Sequence, residues 1–252
     1  MTDRVVDVRG RKVQVAELGS GPPVVYLHGF ADVHGAQQDW LPFHRALAQK
    51  CTLIAPAFPG CAGTDEDPGI EGAEDVAFHT LEVLDALDLG EVTLVGTCIG
   101  GWVAAEMAVR YRERISKLVL IGATGLFVPG KPIGDIFWEV QPVDGTLFTG
   151  LRRLLFADEN VAAGKAMFPD ARLDVDTELL RYKMFRFASR IGFKPPYLHD
   201  RRLKDRLYRY DRPALVLAGE NENMVPLDHA IAYSAQMAKS TLVLIPGAGH
   251  SP

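Results

Sequence analysis

Eight short apolar runs recur along the chain, and they constrain its fold more than any other feature. They lie at residues 5–8, 12–18, 24–29, 52–56, 92–96, 117–122, 214–219 and 241–246. The later runs, such as "KLVLIG" and "TLVLIP", are continuously apolar, which is typical of strands buried on both faces of a parallel sheet. The first two runs are separated by "RGR", which predicts a hairpin.

Stretches with helical periodicity separate most of these runs. In residues 74–90 one apolar stripe is formed by Val76, Thr80, Val83, Leu84 and Leu87. Gly90 follows the predicted end of this helix. Segments 40–49, 99–111 and 227–238 have similar patterns. Two opening strands followed by repeated βα units predict an α/β fold, with a doubly wound, mostly parallel eight-stranded sheet and right-handed crossovers.

The connection after the sixth run is far longer than an ordinary loop. It contains helical and aromatic pieces, among them "GDIFWEV" and "ELLRYKMFRFASRIG". We expect residues 128–210 to form a helical lid, and residues 1–127 and 211–252 to form the core. The lid aromatics indicate an apolar substrate pocket, although packing of the lid itself would also explain them. They are Phe137, Trp138, Phe148 and Phe185.

Composition narrows the functional classes. The chain has 252 residues, of which 48% are hydrophobic and 23% charged, with a formal net charge of -5. Such a charge gives no general attraction to nucleic acid or to an anionic membrane, and the basic run at 201–210 is expected to be a solvated helix face.

No apolar stretch is long enough to span a bilayer, and the N-terminus has no signal-peptide core. Three cysteines without a CxxC pair favour a reducing compartment, so we expect a cytoplasmic protein.

Three reactive side chains follow three different predicted strands. Cys98 follows "VTLV" inside a Gly-x-Cys-x-Gly pattern, Glu222 follows "ALVLAG", and His250 follows "TLVLIP". Ligands bind beyond the carboxyl ends of strands in open α/β sheets. A cysteine held between glycines at a strand-to-helix turn is either a strained nucleophile or a small packing residue, and we favour the nucleophile. Glu220 and Asp228 compete with Glu222 as the acid that orients His250.

The sequence resembles the α/β-hydrolases, in particular the lid-bearing members that include esterases, lactonases and carbon–carbon hydrolases of ring-cleavage products. The segments that carry the resemblance, in order, are "YLHGF", "APAFPG", "GTCIGG", "LVLIGATG", "LVLAGENENMVP" and "LIPGAGHSP". The resemblance implies that the elbow glycines correspond to Gly96 and Gly100. It also implies that the backbone N–H groups of Phe30 and Ile99 form the oxyanion hole. The Phe30 ring would line the substrate pocket.

The chain departs from the family pattern in three places. The elbow usually holds serine, whereas here it holds Cys98, either as the native residue or as an engineered replacement. The acid is usually aspartate, whereas here the matching residue is Glu222. The family normally continues with a helix after the catalytic histidine, so we expect the natural chain to continue beyond Pro252.

These features predict a hydrolase of carboxylic esters, lactones or thioesters that acts through a Cys98–His250–Glu222 triad on a small-molecule acyl substrate. A thiolate at Cys98 is favoured by the helix N-terminus and by His250. Neither HExxH nor Gly-x-Gly-x-x-Gly spacing is present, so no metal and no nucleotide cofactor are predicted. The alternatives are an acyltransferase, a carbon–carbon bond hydrolase and a non-catalytic ligand-binding homologue.

Overall fold

The computed structural model describes residues 2–36, 39–142, 147–171 and 174–251. Its strands are β1 Thr2–Val8, β2 Arg11–Gly19, β3 Pro23–Leu27, β4 Thr52–Pro56, β5 Val92–Thr97, β6 Ile115–Ile121, β7 Ala214–Gly219 and β8 Ser240–Ile245. They form one eight-stranded sheet in the order β1-β2-β4-β3-β5-β6-β7-β8. The β1/β2 and β2/β4 pairs are antiparallel and every later pair is parallel. The predicted α/β fold with a mostly parallel eight-stranded sheet is therefore confirmed.

The opening hairpin follows from its turn residues. Arg9 and Gly10 both have positive φ angles, of 54° and 83°, as a two-residue turn between twisted strands requires. The turn pairs Val8 with Arg11. The Oδ1 atom of Asp7 accepts a hydrogen bond from the Gly10 N–H at 3.0 Å.

The helices are α1 Pro42–Leu47, α2 Ala73–Ala86, α3 Ile99–Arg110, α4 Ile136–Glu139, α5 Thr149–Leu155, α6 Ala162–Met167, α7 Val175–Gly192, α8 Leu203–Arg206 and α9 Leu227–Gln236. The α2 helix ends before Gly90 because Asp88 adopts the left-handed conformation, with a φ of 53°. Helix α3 packs against β5, β6 and α2, and every residue from Ile99 to Val109 is buried. Among the described helices, none combines the length and apolarity needed to cross a membrane.

The connection between β6 and β7 contains α4 to α8. Helix α7 is the longest of these, with 18 residues, and its buried face carries Met184 and Phe187. Helix α8 packs against α3 and α9, so this end of the insertion lies beside helices of the core. The division into core and lid at residues 128 and 210 remains a prediction.

The strand register places the C-terminal ends of β5, β6, β7 and β8 at one edge of the sheet. Thr97 of β5 lies opposite Ile121 of β6, and Gly219 of β7 lies opposite Ile245 of β8. Cys98, Glu222 and His250 each follow one of these strand ends within a few residues. The topology therefore brings the three side chains to the same edge.

Candidate active site

The turn from β5 to α3 holds Cys98 in a strained conformation, with φ 54° and ψ -118°. Its backbone N–H donates to the Ile121 carbonyl at 2.9 Å. A Cβ on Gly96 would lie 2.4 Å from the Gly100 carbonyl oxygen, and one on Gly100 would lie 2.2 Å from the Leu27 carbonyl oxygen. Only glycines allow so tight a turn, and a positive φ in a non-glycine residue is a strain typical of functional sites.

His250 and Glu222 form a buried pair. The Nδ1 atom of His250 lies 2.9 Å from Oε2 of Glu222, and the two side chains are 3% and 2% exposed. The other carboxylate oxygen of Glu222 accepts hydrogen bonds from the backbone N–H groups of Met224 at 2.8 Å and Val225 at 3.0 Å. These bonds fix the carboxylate as the acceptor for the Nδ1 proton, which leaves Nε2 as the nitrogen that can exchange a proton with a reacting group.

The charges at this pair are mutually stabilised. Burial alone would raise the pKa of Glu222, but the His250 charge and three hydrogen bonds lower it below its ordinary value. Burial would likewise lower the pKa of His250, but the charges of Glu222 and Cys98, with the hydrogen bond to Glu222, raise it well above its ordinary value. No described atom makes a hydrogen bond of normal geometry to the buried Nε2. Cys98 is nevertheless near enough to the ring to favour imidazolium.

The two competing acids face other partners. Glu220 is exposed and accepts a long hydrogen bond, 3.4 Å, from the Gly247 N–H. Asp228 forms an ion pair with Lys131 at 3.2 Å and has a side chain that is 43% exposed. The structure brings Glu222 to His250 and brings neither competitor there.

The loop after β3 carries Phe30 and is held by buried polar groups. The Phe58 N–H donates to Nε2 of His28 at 3.1 Å, so the His28 ring is neutral and its Nδ1 faces the Gly29 carbonyl at 3.2 Å. Burial lowers the pKa of His28 to about 3. Asp32 accepts from the Gly29 N–H at 3.3 Å and from the Tyr26 hydroxyl. Within the part of the chain that is described, no residue accepts a hydrogen bond from the N–H of Phe30 or Ile99.

Two glycines of the site are missed by sequence reasoning. Gly122 follows β6 with a φ of 51°, and a Cβ there would lie 3.0 Å from Nδ1 of His250. A Cβ on Gly29 would lie 2.9 Å from the Cβ of Cys98. The positions of these glycines at strand ends, in "LIG" and "LHG", were the available signal.

Aromatic rings from the insertion cover Phe30. The Phe185 ring lies 4.4 Å from the Phe30 ring, and the Phe168 ring stacks on it at 6.1 Å. Phe137 contacts Phe185 at 5.9 Å, and Phe148 contacts Phe168 at 6.0 Å. Sequence reasoning missed Phe168, which is fully buried. Trp138 is set apart from this cluster, because 74% of it is exposed.

Carboxylates that could bind a cation meet elsewhere in the described part of the chain. Oxygen atoms of Glu74, Glu106 and Asp200 lie within 4.8 Å of one another. Glu106 is paired with Arg110 at 3.0 Å, and Asp200 with Arg206 at 3.1 Å. Arginines thus already neutralise two of the three charges.

Comparison with known proteins identifies relatives of one fold. A model of the alpha/beta hydrolase fold family matches residues 22–252. A 2-hydroxy-6-oxo-2,4-heptadienoate hydrolase of Pseudomonas putida is 26% identical across 98% of this chain and 89% of its own length. A 2-hydroxymuconate semialdehyde hydrolase of a Pseudomonas species is 27% identical across 98% of this chain and 87% of its own. A solved meta-cleavage product hydrolase from Pseudomonas fluorescens has a TM-score of 0.77 at 21% identity, and the match covers 98% of this chain and 90% of that one.

Proposed function

The chain belongs to the α/β-hydrolase fold family, and we propose that it hydrolyses carboxylic esters, lactones or thioesters of small molecules through Cys98, His250 and Glu222. The observation that carries this proposal is the buried Glu222–His250 pair at 2.9 Å, next to a cysteine held at a strained elbow. The proposed location is the cytoplasm, and the free thiols of all three cysteines support it.

In the first half of the reaction, Nε2 of His250 removes the Cys98 proton and Sγ attacks the substrate carbonyl carbon. The carbonyl electron pair moves to oxygen, and the N–H groups of Phe30 and Ile99 stabilise the resulting oxyanion. When the oxyanion collapses, the bond to the leaving group breaks. His250 returns its proton to the departing oxygen or sulfur, which leaves a thioester on Cys98.

In the second half, His250 removes a proton from water, and the hydroxide attacks the thioester carbon. The carbon–sulfur bond breaks, the acid product leaves, and the proton on His250 returns to Cys98. Glu222 accepts the Nδ1 hydrogen bond throughout, which keeps the reactive nitrogen in the correct tautomer and stabilises imidazolium.

A carbon–carbon bond hydrolase is the second candidate, because two of the relatives carry names of that kind, a heptadienoate hydrolase and a semialdehyde hydrolase. The same oxyanion hole and base could serve water attack on a ketone followed by loss of a carbon leaving group. Loss of the absorbance of 2-hydroxy-6-oxo-2,4-heptadienoate on addition of the protein would favour this candidate. Turnover of simple 4-nitrophenyl esters without such a loss would favour the first.

Replacement of Cys98 tests the proposed nucleophile. We expect Cys98→Ala to reduce ester turnover by about 10³-fold or more, because the residual catalysis then comes from binding and the oxyanion hole alone. Cys98→Ser should retain part of the activity, since the elbow geometry also suits an alkoxide. Release of 4-nitrophenol from a 4-nitrophenyl ester measures both variants.

Alkylation by iodoacetamide supplies an independent measurement. Cys98 should be modified before Cys51 and Cys61, because burial raises the pKa of both other thiols. Peptide mapping that found Cys61 labelled first would contradict the assignment, as would full activity in Cys98→Ala. A rate that rises with added alcohol would indicate acyl transfer instead of hydrolysis.

A further inference from the structure

Two arginines of the insertion, Arg152 and Arg181, are each only 4% exposed. A guanidinium stays charged at every pH that proteins experience. Burying such a charge is costly unless it is paired and hydrogen-bonded. The partners of the two arginines therefore show what each one does.

Arg152 has partners for both of its Nη atoms, although its buried Nε atom has no acceptor among the described residues. Its Nη2 atom lies 2.9 Å from Oδ1 of Asp170 and 3.0 Å from Oγ1 of Thr149, and its Nη1 atom donates to the Phe168 carbonyl at 2.5 Å. A carboxylate thus balances the charge. Arg152 is a structural residue that ties α5 to the segment around residue 170.

Arg181 has no comparable carboxylate partner among the described residues, and its guanidinium carbon lies 5.1 Å from the Phe148 ring and 5.0 Å from the Phe168 ring. Its Nη2 atom donates to the Met167 carbonyl, but its buried Nε and Nη1 atoms have no acceptor among the described residues. Its side chain forms no ion pair with any described carboxylate. Burial lowers the pKa of Arg181, and the more distant charges of Glu178 and Asp174 offset this only in part.

The position of Arg181 places it beside the rings that cover Phe30. On α7, Arg181 precedes Met184 and Phe185 by three and four residues, which places all three on one face of the helix. Phe185 lies on the Phe30 ring at 4.4 Å. The Arg181 guanidinium is 5.0 Å from the Phe168 ring, which in turn stacks on Phe30 at 6.1 Å. The Arg181 guanidinium therefore lies against the group of rings from the insertion that contacts Phe30, in the loop after β3.

We propose that Arg181 binds a carboxylate group carried by the acyl substrate at the end remote from the bond that is cleaved. The inference rests on the proposed function and specifies its substrate class, namely acyl compounds with a free carboxylate. A carboxylate would supply an acceptor for Nη1, one of the two nitrogens that lack one among the described residues, and would neutralise the buried charge. The surrounding rings exclude water, which strengthens such a contact.

A pair of esters that differ in charge tests the proposal. Wild-type protein should hydrolyse mono-4-nitrophenyl glutarate with a higher kcat/KM than the uncharged 4-nitrophenyl butyrate. Arg181→Met, which keeps the length of the side chain, should lose about 10- to 100-fold on the glutarate ester, the usual effect of one charge-assisted hydrogen bond. Its kcat/KM for the butyrate ester should stay within about twofold.

Arg186→Met is the matched control. Arg186 lies on the same helix, is exposed, and pairs with Glu66, so its loss should alter the two kcat/KM values equally and by less than about twofold. Equal losses on both esters in Arg181→Met would overturn the proposal, as would a wild-type protein that prefers the neutral ester. The second outcome requires no variant and holds even if Arg181→Met does not fold.

Calorimetry with glutarate separates this proposal from the catalytic one. Glutarate should bind wild-type protein and Cys98→Ala alike, and should bind Arg181→Met at least about tenfold more weakly. Binding that depends on Arg181, in a protein that hydrolyses neither ester, would contradict the hydrolytic function and support the role of Arg181. Ester turnover with no glutarate binding would support the hydrolytic function and contradict the role of Arg181.

Discussion

The turn that carries Cys98 and the insertion between β6 and β7, which we predict to be a lid, differ in what holds them. At the elbow, backbone atoms leave no room: a side chain on Gly100 would lie 2.2 Å from the Leu27 carbonyl oxygen, and the Cys98 N–H is bound to β6. Over the loop after β3, by contrast, the insertion is held by side chains, through ring contacts such as Phe185 on Phe30 and through Arg152 on Asp170.

We infer from this difference that the residues around Cys98 determine the reaction, whereas the insertion determines which substrates are preferred. A site fixed by backbone contacts keeps its reacting atoms in place whatever covers it. A cover built of side chains can change its pocket by substitution without disturbing the strands beneath it. We therefore expect substitutions at the elbow and triad to affect all substrates, and substitutions in the lid to affect some substrates more than others.

We expect the largest effect at Glu222, the acid of the proposed triad. Glu222→Gln should lower kcat by about 10²- to 10⁴-fold on charged and neutral esters alike, because the amide favours the wrong imidazole tautomer and cannot stabilise imidazolium. The loss should lie toward the smaller value, since a thiolate–imidazolium pair is partly stable without the acid. Steady-state kinetics on both esters measures it.

Glu220→Gln is the control for this prediction. Glu220 is exposed and its only described side-chain hydrogen bond is the long one from Gly247, so kcat should stay within about twofold of wild type. If Glu220→Gln or Asp228→Asn collapsed while Glu222→Gln kept full activity, the acid would lie elsewhere. A loss on one ester only would break the division between elbow and lid.

A second prediction uses pH to distinguish the two regions. His28 is neutral and buried, with its pKa lowered to about 3, whereas the unfolded chain takes up a proton near pH 6.5. The unfolded state thus binds more protons below pH 6.5, and folding stability falls as the pH falls. Between pH 7.5 and 5, His28 should account for a loss of about 2 kcal/mol in the free energy of unfolding.

Urea unfolding at the two pH values measures this contribution. His28→Gln, whose amide oxygen can accept the Phe58 N–H, should be less sensitive to pH than wild type by about 2 kcal/mol. Arg152→Met is the counterpart in the lid, and its cost should be the same at both pH values because arginine does not titrate there. An equal pH dependence in wild type and His28→Gln would contradict the prediction.

The sequence predicts the structure of the core better than that of the insertion between β6 and β7, for a physical reason. Strands buried on both faces, and glycines where the chain turns sharply, leave their pattern in consecutive residues, so the sheet was predicted and is confirmed. Membership of the α/β-hydrolase family and the hydrolase class are confirmed with it. The pairing of His250 with Glu222 at 2.9 Å agrees with the expected triad, whose catalytic roles remain proposals.

The lid gave no such local signal. Phe168 contacts Phe30, and Arg181 contacts Phe168, only because separate segments of the insertion fold over the loop after β3. Such contacts depend on tertiary packing that no short pattern encodes. Gly122 was missed for a related reason, since its role depends on the approach of His250, 128 positions later in the sequence. Aromatic residues could be selected by type, but type did not distinguish Phe185 from Trp138.

Phe185 and Trp138 therefore provide the test with the smallest expected effects on the comparison between the turn at Cys98 and the insertion. Phe185 lies on the Phe30 ring, so Phe185→Ala should lower kcat/KM for esters with longer acyl chains by about tenfold, as expected for a lost aromatic contact of about 1 kcal/mol or more. Because the elbow is fixed by its backbone, the rate of Cys98 alkylation should stay within about twofold. Trp138 is 74% exposed, so Trp138→Ala should change kcat/KM by less than about twofold for every chain length. If Trp138→Ala had the larger effect, the acyl chain would bind along α4 instead of beside Phe30. If Phe185→Ala slowed alkylation as much as turnover, the lid would be helping to hold the nucleophile, and the two regions would not be separable.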